Sequence, residues 1–161
     1  MIPNYLSPLE FQITIKRLPN VEFFTQKVII PSISTDSVII DNPFNYIHRT
    51  PNKIDYSNLE LAFIVDEKMN NYLEIFNWIT DISFPQNFEQ FKKIEKSPEG
   101  LESDISILVL NSNKNANINV NFFGCFPSAL SAINLDTTQN NLIYPTATVT
   151  FKYDYFKIEQ I

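Results

Sequence analysis

Residues 55–82, DYSNLELAFIVDEKMNNYLEIFNWITDI, change period in mid-course. Leu59, Leu61, Phe63 and Val65 alternate with Asn58, Glu60, Ala62 and Ile64. Successive side chains of a β-strand point to opposite faces, so this stretch predicts a strand with one apolar face. The second face turns apolar towards its end, as expected where both faces are covered. From Met69 onward the spacing becomes three and four: Met69, Tyr72, Leu73, Phe76 and Ile79, with Ile75 and Trp78 widening the stripe. That predicts an amphipathic helix of about three to four turns with its stripe inward. Asp66 is the expected N-cap, and Glu67 suits the positive end of the helix dipole.

The same alternation recurs on both sides of this junction. FQITIKR (residues 11–17) puts Phe11, Ile13 and Ile15 on one face. Pro19-Asn20 reads as a turn, and EFFTQKVII (22–30) as a second strand, giving an opening hairpin. Pro31, Pro43 and Pro51 break up residues 31–53, where SVII and NYIHRT are expected as edge strands or an extended arm. FPQNFEQFKKIEK after the long helix reads as a second, shorter helix ended by SPEG. SDISILVLN and INVNFFG flank a polar tip, NSNKNAN, and align Ile105, Ile107 and Val109 with Ile118, Val120 and Phe122. TATVTFKYDYF is expected as one last strand with Ala147, Val149, Phe151, Tyr153 and Tyr155 alike in facing. The sum is about six or seven strands with one long inserted helix. The expected fold is mainly β, an antiparallel β-sandwich or half-barrel plugged by the helix, in a single domain over residues 1–161.

Composition excludes several functions. The net charge is −6, which argues against a basic groove for nucleic acid. Only two glycines occur, against a usual share of about 7%, and no phosphate-binding or nucleophile-elbow motif is present. The single cysteine, Cys125, sits among Phe122, Phe123 and Phe126 and reads as a small buried hydrophobe. His48 is the single histidine and reads as a surface or interface residue. The carboxylates are scattered, and no pair is marked for acid–base work. No catalytic, cofactor-binding or metal-ligating residue is therefore nominated, no cofactor is expected, and the chain is read as a non-enzyme. Met1–Glu10 shows no signal pattern, and no run of about 18 apolar residues is present, so no membrane insertion is expected. The aromatic FKYDYF could stack on single-stranded nucleic acid, but inward packing fits the acidic charge better. A carbohydrate-binding β-sandwich stays open as another class: Asn and Tyr would allow it, while Trp78 on the helix is poorly placed for a sugar platform.

FPSALSAINLD (126–136) is too apolar for a free loop and carries no catalytic side chain. It reads as a linker between strands. The order of these pieces resembles the tail tube protein family of contractile-tailed bacteriophages. The resemblance runs through EFQITIKRLPNVEFFTQKVIIPSIS and then LELAFIVDEKMNNYLEIFNWI, with Asp66, Glu67, Phe76 and Trp78. It ends in FFGCFPSALSAINLDTTQNNLIYPTATVTFKYDYF, with Gly124, Phe126, Pro127, Leu135, Asp136, Val149, Tyr153, Tyr155 and Phe156 in family order. The resemblance implies a virion protein, made in the host cytoplasm, that forms hexameric rings. In such rings the sheets join into one β-barrel, and head-to-tail stacking makes the inner tail tube through which DNA is ejected. Sheath and baseplate proteins are the implied partners, and DNA passes the lumen without specific binding. A tube-initiating baseplate ring, or the tube of a type VI secretion or extracellular injection system, would share the architecture.

On that reading Pro127, Leu130, Ile133 and Leu135 anchor the linker on the chain's own sheet or on a neighbouring subunit. The proline-punctuated arm, with Phe44 and Tyr46, touches the next ring. Asn58, Glu60, Asn117, Asn119 and Asn121 are the expected lumen or wet-face positions.

Overall fold

The computed structural model describes residues 5–6, 8–84, 92, 100–138 and 143–161. Strand β1 (Phe11–Ile15) buries Ile13 and Ile15 and leaves Gln12 and Thr14 in solvent. Helix α1 (Pro19–Phe24) follows, where a turn and the start of a strand were expected. Proline at the first helical position is pre-set for helix and needs no partner for its missing N–H. Glu22 fastens this turn by accepting from the Ile15 N–H at 3.2 Å, and Val21 fills the core. Strand β2 (Thr25–Ile29) then runs to the far end of the sheet. The expected opening hairpin does not form, because α1 carries the chain away from β1 before it extends again.

Strands β3 (Ile33–Ser34), β4 (Val38–Asp41), β5 (Tyr46–Arg49) and β6 (Asp55–Tyr56) form two small ladders off the main sheet. β3 pairs with β6, and β4 pairs with β5 as a hairpin. The arm expected over residues 31–53 is therefore a hairpin on a short paired base.

Strand β7 (Leu59–Ile64) shows the expected alternation, with Leu59, Leu61 and Phe63 fully buried. Helix α2 (Asn70–Ser83) starts later and sits rotated relative to expectation. Asp66 is not the N-cap: Met69 holds that position in the left-handed region, at φ 56°. The buried positions are Asn71, Ile75 and Trp78, whereas Met69, Leu73 and Phe76 are exposed. Two polar anchors set this rotation. Asn71 donates to the Ile64 carbonyl at 2.8 Å and accepts from the Asp66 N–H at 3.2 Å. The Trp78 indole N–H donates to the Leu101 carbonyl at 3.1 Å. Buried polar groups must be paired, so these bonds outrank the small gain of turning the Met69–Leu73–Phe76 side inward. The second helix expected after α2 falls almost entirely outside the described residues.

Strands β8 (Ser103–Leu110), β9 (Ala116–Leu130), β10 (Thr146–Lys152) and β11 (Tyr155–Gln160) complete a sheet ordered β1-β8-β9-β10-β7-β2, with β11 paired to β9. All these pairings are antiparallel. β9 organises the sheet: residues 118–123 pair with β11 and residues 126–130 with β10. Its register against β8 shifts between Ser103 and Ile105, and Gly124 there has φ 66°. An extra residue with a left-handed glycine is a bulge, which bends and twists the strand. The final strand breaks opposite this bend, between Lys152 and Tyr155, so TATVTFKYDYF is two strands and not one. Phe126–Leu130 likewise belongs to β9 and is not linker. The inner face holds the core, with Ile15, Phe63, Ile107, Phe122 and Phe151 from the sheet meeting Ile75 and Trp78 of α2. The Trp78 and Phe151 rings lie 6.0 Å apart. The fold is mainly β, with one long helix against an antiparallel sheet.

Candidate assembly surface

Among the described residues, β1, β2 and β11 each have a sheet partner on one side only. Open edges invite pairing with another chain. The β4–β5 hairpin adds apolar surface that its own chain leaves uncovered. All eight strand residues are exposed, and at its tip Phe44 is 95% and Tyr46 70% exposed. Ile39, Ile40 and Ile47 are exposed with them. A two-stranded hairpin alone is marginal in water, and exposed apolar side chains on it make it a candidate contact surface. His48 is exposed on this hairpin, with Nδ1 2.9 Å from the Ser37 hydroxyl.

The other nominated residues separate by environment. Pro127 is buried, paired with Phe151 of β10. Leu130 and Ile133 are half-buried against the chain's own core. Leu135 is 81% exposed beside Tyr144. It helps line an open apolar groove of about 700 Å³ with Phe24, Val65, Met69 and Ile133, rimmed by Asp66 and Glu67. The stretch thus packs inward through residue 133 and offers apolar surface outward at 135.

The five polar positions divide between two places: Asn58 and Glu60 at the start of β7, and Asn117, Asn119 and Asn121 on β9. Asn58, Glu60 and Asn117 are exposed, and Asn119 and Asn121 are half-buried. On β9 the asparagines alternate with Ile118, Val120 and Phe122, which face the core. Asn121 lies between Ser106 and Lys157 in register, accepting from the Ser106 hydroxyl at 2.8 Å. Glu60 is opposite Thr150. The asparagine-bearing face of β9 is not wholly polar. Phe123 and Tyr155 stack at 4.8 Å, with the Lys157 ammonium 5.8 Å from each ring.

Reactive chemistry is weak here. Cys125 is fully buried, and its thiol is pushed up to about 12, first by burial. The Asp104, Glu102 and Asp154 carboxylates push the same way, against a hydrogen bond from the Ile105 backbone. A thiol so held is neither nucleophile nor metal ligand at neutral pH. No group of three metal-ligating side chains occurs among the described residues.

Sequence reasoning missed two apolar features. The outward side of α2, Leu73 and Phe76, was assigned to the core because periodicity does not say how wide an apolar sector is buried. The contact of Tyr56 with Tyr153 and Phe156 joins residues far apart in the chain, with no local signature.

The tail tube terminator protein of Enterobacteria phage T4 is 26% identical over 164 residues, covering 98% of this chain and 90% of that protein. The tube-terminating cap of the anti-feeding prophage superposes with a TM-score of 0.72 at 18% identity, covering 100% of this chain and 95% of the other. The sheath/tube terminator structure of the PVC extracellular contractile injection system gives 0.69 at 17% identity, covering 99% of each chain. Both likenesses show the shared fold. The phage tail tube protein family matches residues 5–159, and the chain belongs to that family.

Proposed function

We propose that this chain is a ring-forming subunit that closes the end of the inner tube of a contractile particle. The observation that carries this reading is the likeness to the phage T4 tail tube terminator over nearly the whole of both chains. The open edges and the uncovered hairpin support it, since each offers a place for another subunit to pair. Six copies joined edge to edge would place Asn117, Asn119, Asn121 and Glu60 on the lumen, a polar and acidic wall that DNA passes without sticking. Phe44 and Tyr46 of each hairpin, with Leu135, meet a neighbouring subunit. The tube and sheath are the partners in the assembled tail, and the chain is incorporated after synthesis in the host cytoplasm.

A repeating tube subunit, a tube-initiating baseplate ring and a secretion-system tube remain the competing positions. Immunogold labelling of a C-terminally tagged chain on purified particles separates them. Gold at the end of the tube away from the baseplate is the expected result. Gold along the length, or at the baseplate end, would replace the terminator reading.

A further inference from the structure

The β4–β5 hairpin stands on a base of only two rungs, Ile33 opposite Tyr56 and Ser34 opposite Asp55. Bonds between Ser32 and Ser57 tie the two limbs of this base to each other. The Ser57 N–H donates to the Ser32 carbonyl at 3.1 Å, and the Ser32 N–H to the Ser57 hydroxyl at 2.8 Å. The two limbs run on into β2 and β7, which pair in the main sheet at Ile29 opposite Glu60.

Beyond that backbone link, an aromatic cluster ties the base to the body of the domain. The Tyr56 ring lies 5.9 Å from Tyr153 and 5.6 Å from Phe156. Those two rings lie 5.1 Å and 5.3 Å from Phe122, which is fully buried in the core. The Tyr153 hydroxyl also donates to the Ser57 carbonyl at 2.7 Å. Tyr153 sits at the break between β10 and β11, next to Asp154, whose N–H donates to the Phe123 carbonyl beside the Gly124 bulge. The bend of the main sheet and the root of the hairpin therefore meet at one residue. Tyr56 meets Phe156, and Phe122 meets Tyr153, edge to face, while the Tyr56–Tyr153 pair is tilted; such ring contacts are directional and add to the area they bury.

Resting on the reading of the hairpin as a subunit contact, we propose that Tyr56 and Tyr153 form the joint that fixes the hairpin's angle to the body, so that assembly depends on these two positioning residues. A hairpin free to swing would pay ordering entropy at every contact it makes; a hairpin held by rings and a hydroxyl arrives pre-organised. Burial raises the Tyr153 phenol to about 12, so its hydroxyl stays a donor throughout the ordinary pH range.

The test uses the full chain carrying Tyr56→Ala, Tyr56→Phe, Tyr153→Phe or Phe44→Ser. Amide hydrogen exchange of dilute protein reads residues 33–56 against β8 and β9. In Tyr56→Ala the arm should exchange about tenfold faster while β8 and β9 are unchanged, as local opening implies. Assembly, read by sedimentation, should fall with it, and Tyr56→Phe should restore both. Tyr153→Phe keeps the ring and should speed the arm's exchange to a lesser degree. Phe44→Ser should lose assembly with the arm's exchange unchanged. Arm exchange at the wild-type rate in both Tyr56→Ala and Tyr153→Phe would overturn the joint. So would a uniform rise across the sheet. If no variant and no wild-type protein assembles, the reading of the hairpin as a subunit contact falls, while the exchange result still decides the joint.

Discussion

Gly124 lies against Asp154 so closely that a Cβ added to it would stand 2.8 Å from the Asp154 Oδ2 and 3.2 Å from the Glu102 Oε2. Its N–H donates to the Asp104 Oδ1 at 3.3 Å. The left-handed backbone at φ 66° makes this the point where β9 bends from its pairing with β11 to its pairing with β10. Gly124→Ala should cost about 1–2 kcal/mol, chiefly from the left-handed backbone, since the Asp154 carboxylate can rotate away. Adding Asp154→Ala should recover only the steric share. Urea denaturation of the single and double variants checks this; a Gly124→Ala chain as stable as wild type would show that the bulge is not strained.

The rotation of α2 gives a second test. Trp78→Ala should cost about 3–5 kcal/mol, because it opens a cavity beside Phe151 and leaves the Leu101 carbonyl without its donor. Leu73→Ala and Phe76→Ala should each change stability by less than about 1 kcal/mol, as exposed positions do. The reverse order in thermal or urea denaturation would mean that the helix buries the stripe its periodicity suggests.

Cys125 and Tyr153 together define an alkaline limit. The thiol is raised from 9.0 to about 12 and the phenol from 10.0 to about 12, burial leading in both. Each group ionises more readily in the unfolded chain. Their contribution to stability is therefore complete below about pH 9 and is lost as pH rises from 9 towards 12. Denaturation midpoints measured from pH 8 to 11 should fall, and Cys125→Ala should flatten the decline. The native thiol should resist iodoacetamide at pH 8 and react on unfolding; rapid labelling of the folded protein would contradict its burial.

Assembly and folding should separate at the hairpin. Phe44→Ser and Tyr46→Ser remove apolar surface that the single chain does not bury. Their melting temperatures should match wild type, while the assembled fraction seen by sedimentation at matched concentration should fall. A loss of melting temperature without loss of assembly would place these rings in the domain's own fold.

The strands with a clean period of two were legible in the sequence: β7, β8 and the first part of β9 bury the residues that alternation names. Other features were not. Phe23 and Phe24 favour strand by propensity, yet Pro19 and Glu22 stabilise a helical turn there. The stretch from Phe126 reads as linker, but β8 pairs no further than Cys125, so Pro127 lies in β9 where, among the described residues, no strand on that side needs its N–H. The rotation of α2 rests on Asn71 and Trp78 bonding to carbonyls far away in the chain, which a periodic pattern cannot show. The alternation of Asn117, Asn119 and Asn121 with the core residues of β9 was legible in the same period of two. The joint at Tyr153 was not, since it depends on where the bulge bends β9.

The central claim is closure into a ring, and native mass spectrometry of the purified chain across concentration and salt tests it most directly. Closed hexamers that do not extend into long polymers are the expected species. Monomers alone at every concentration, or an unbroken ladder of growing oligomers, would contradict the account.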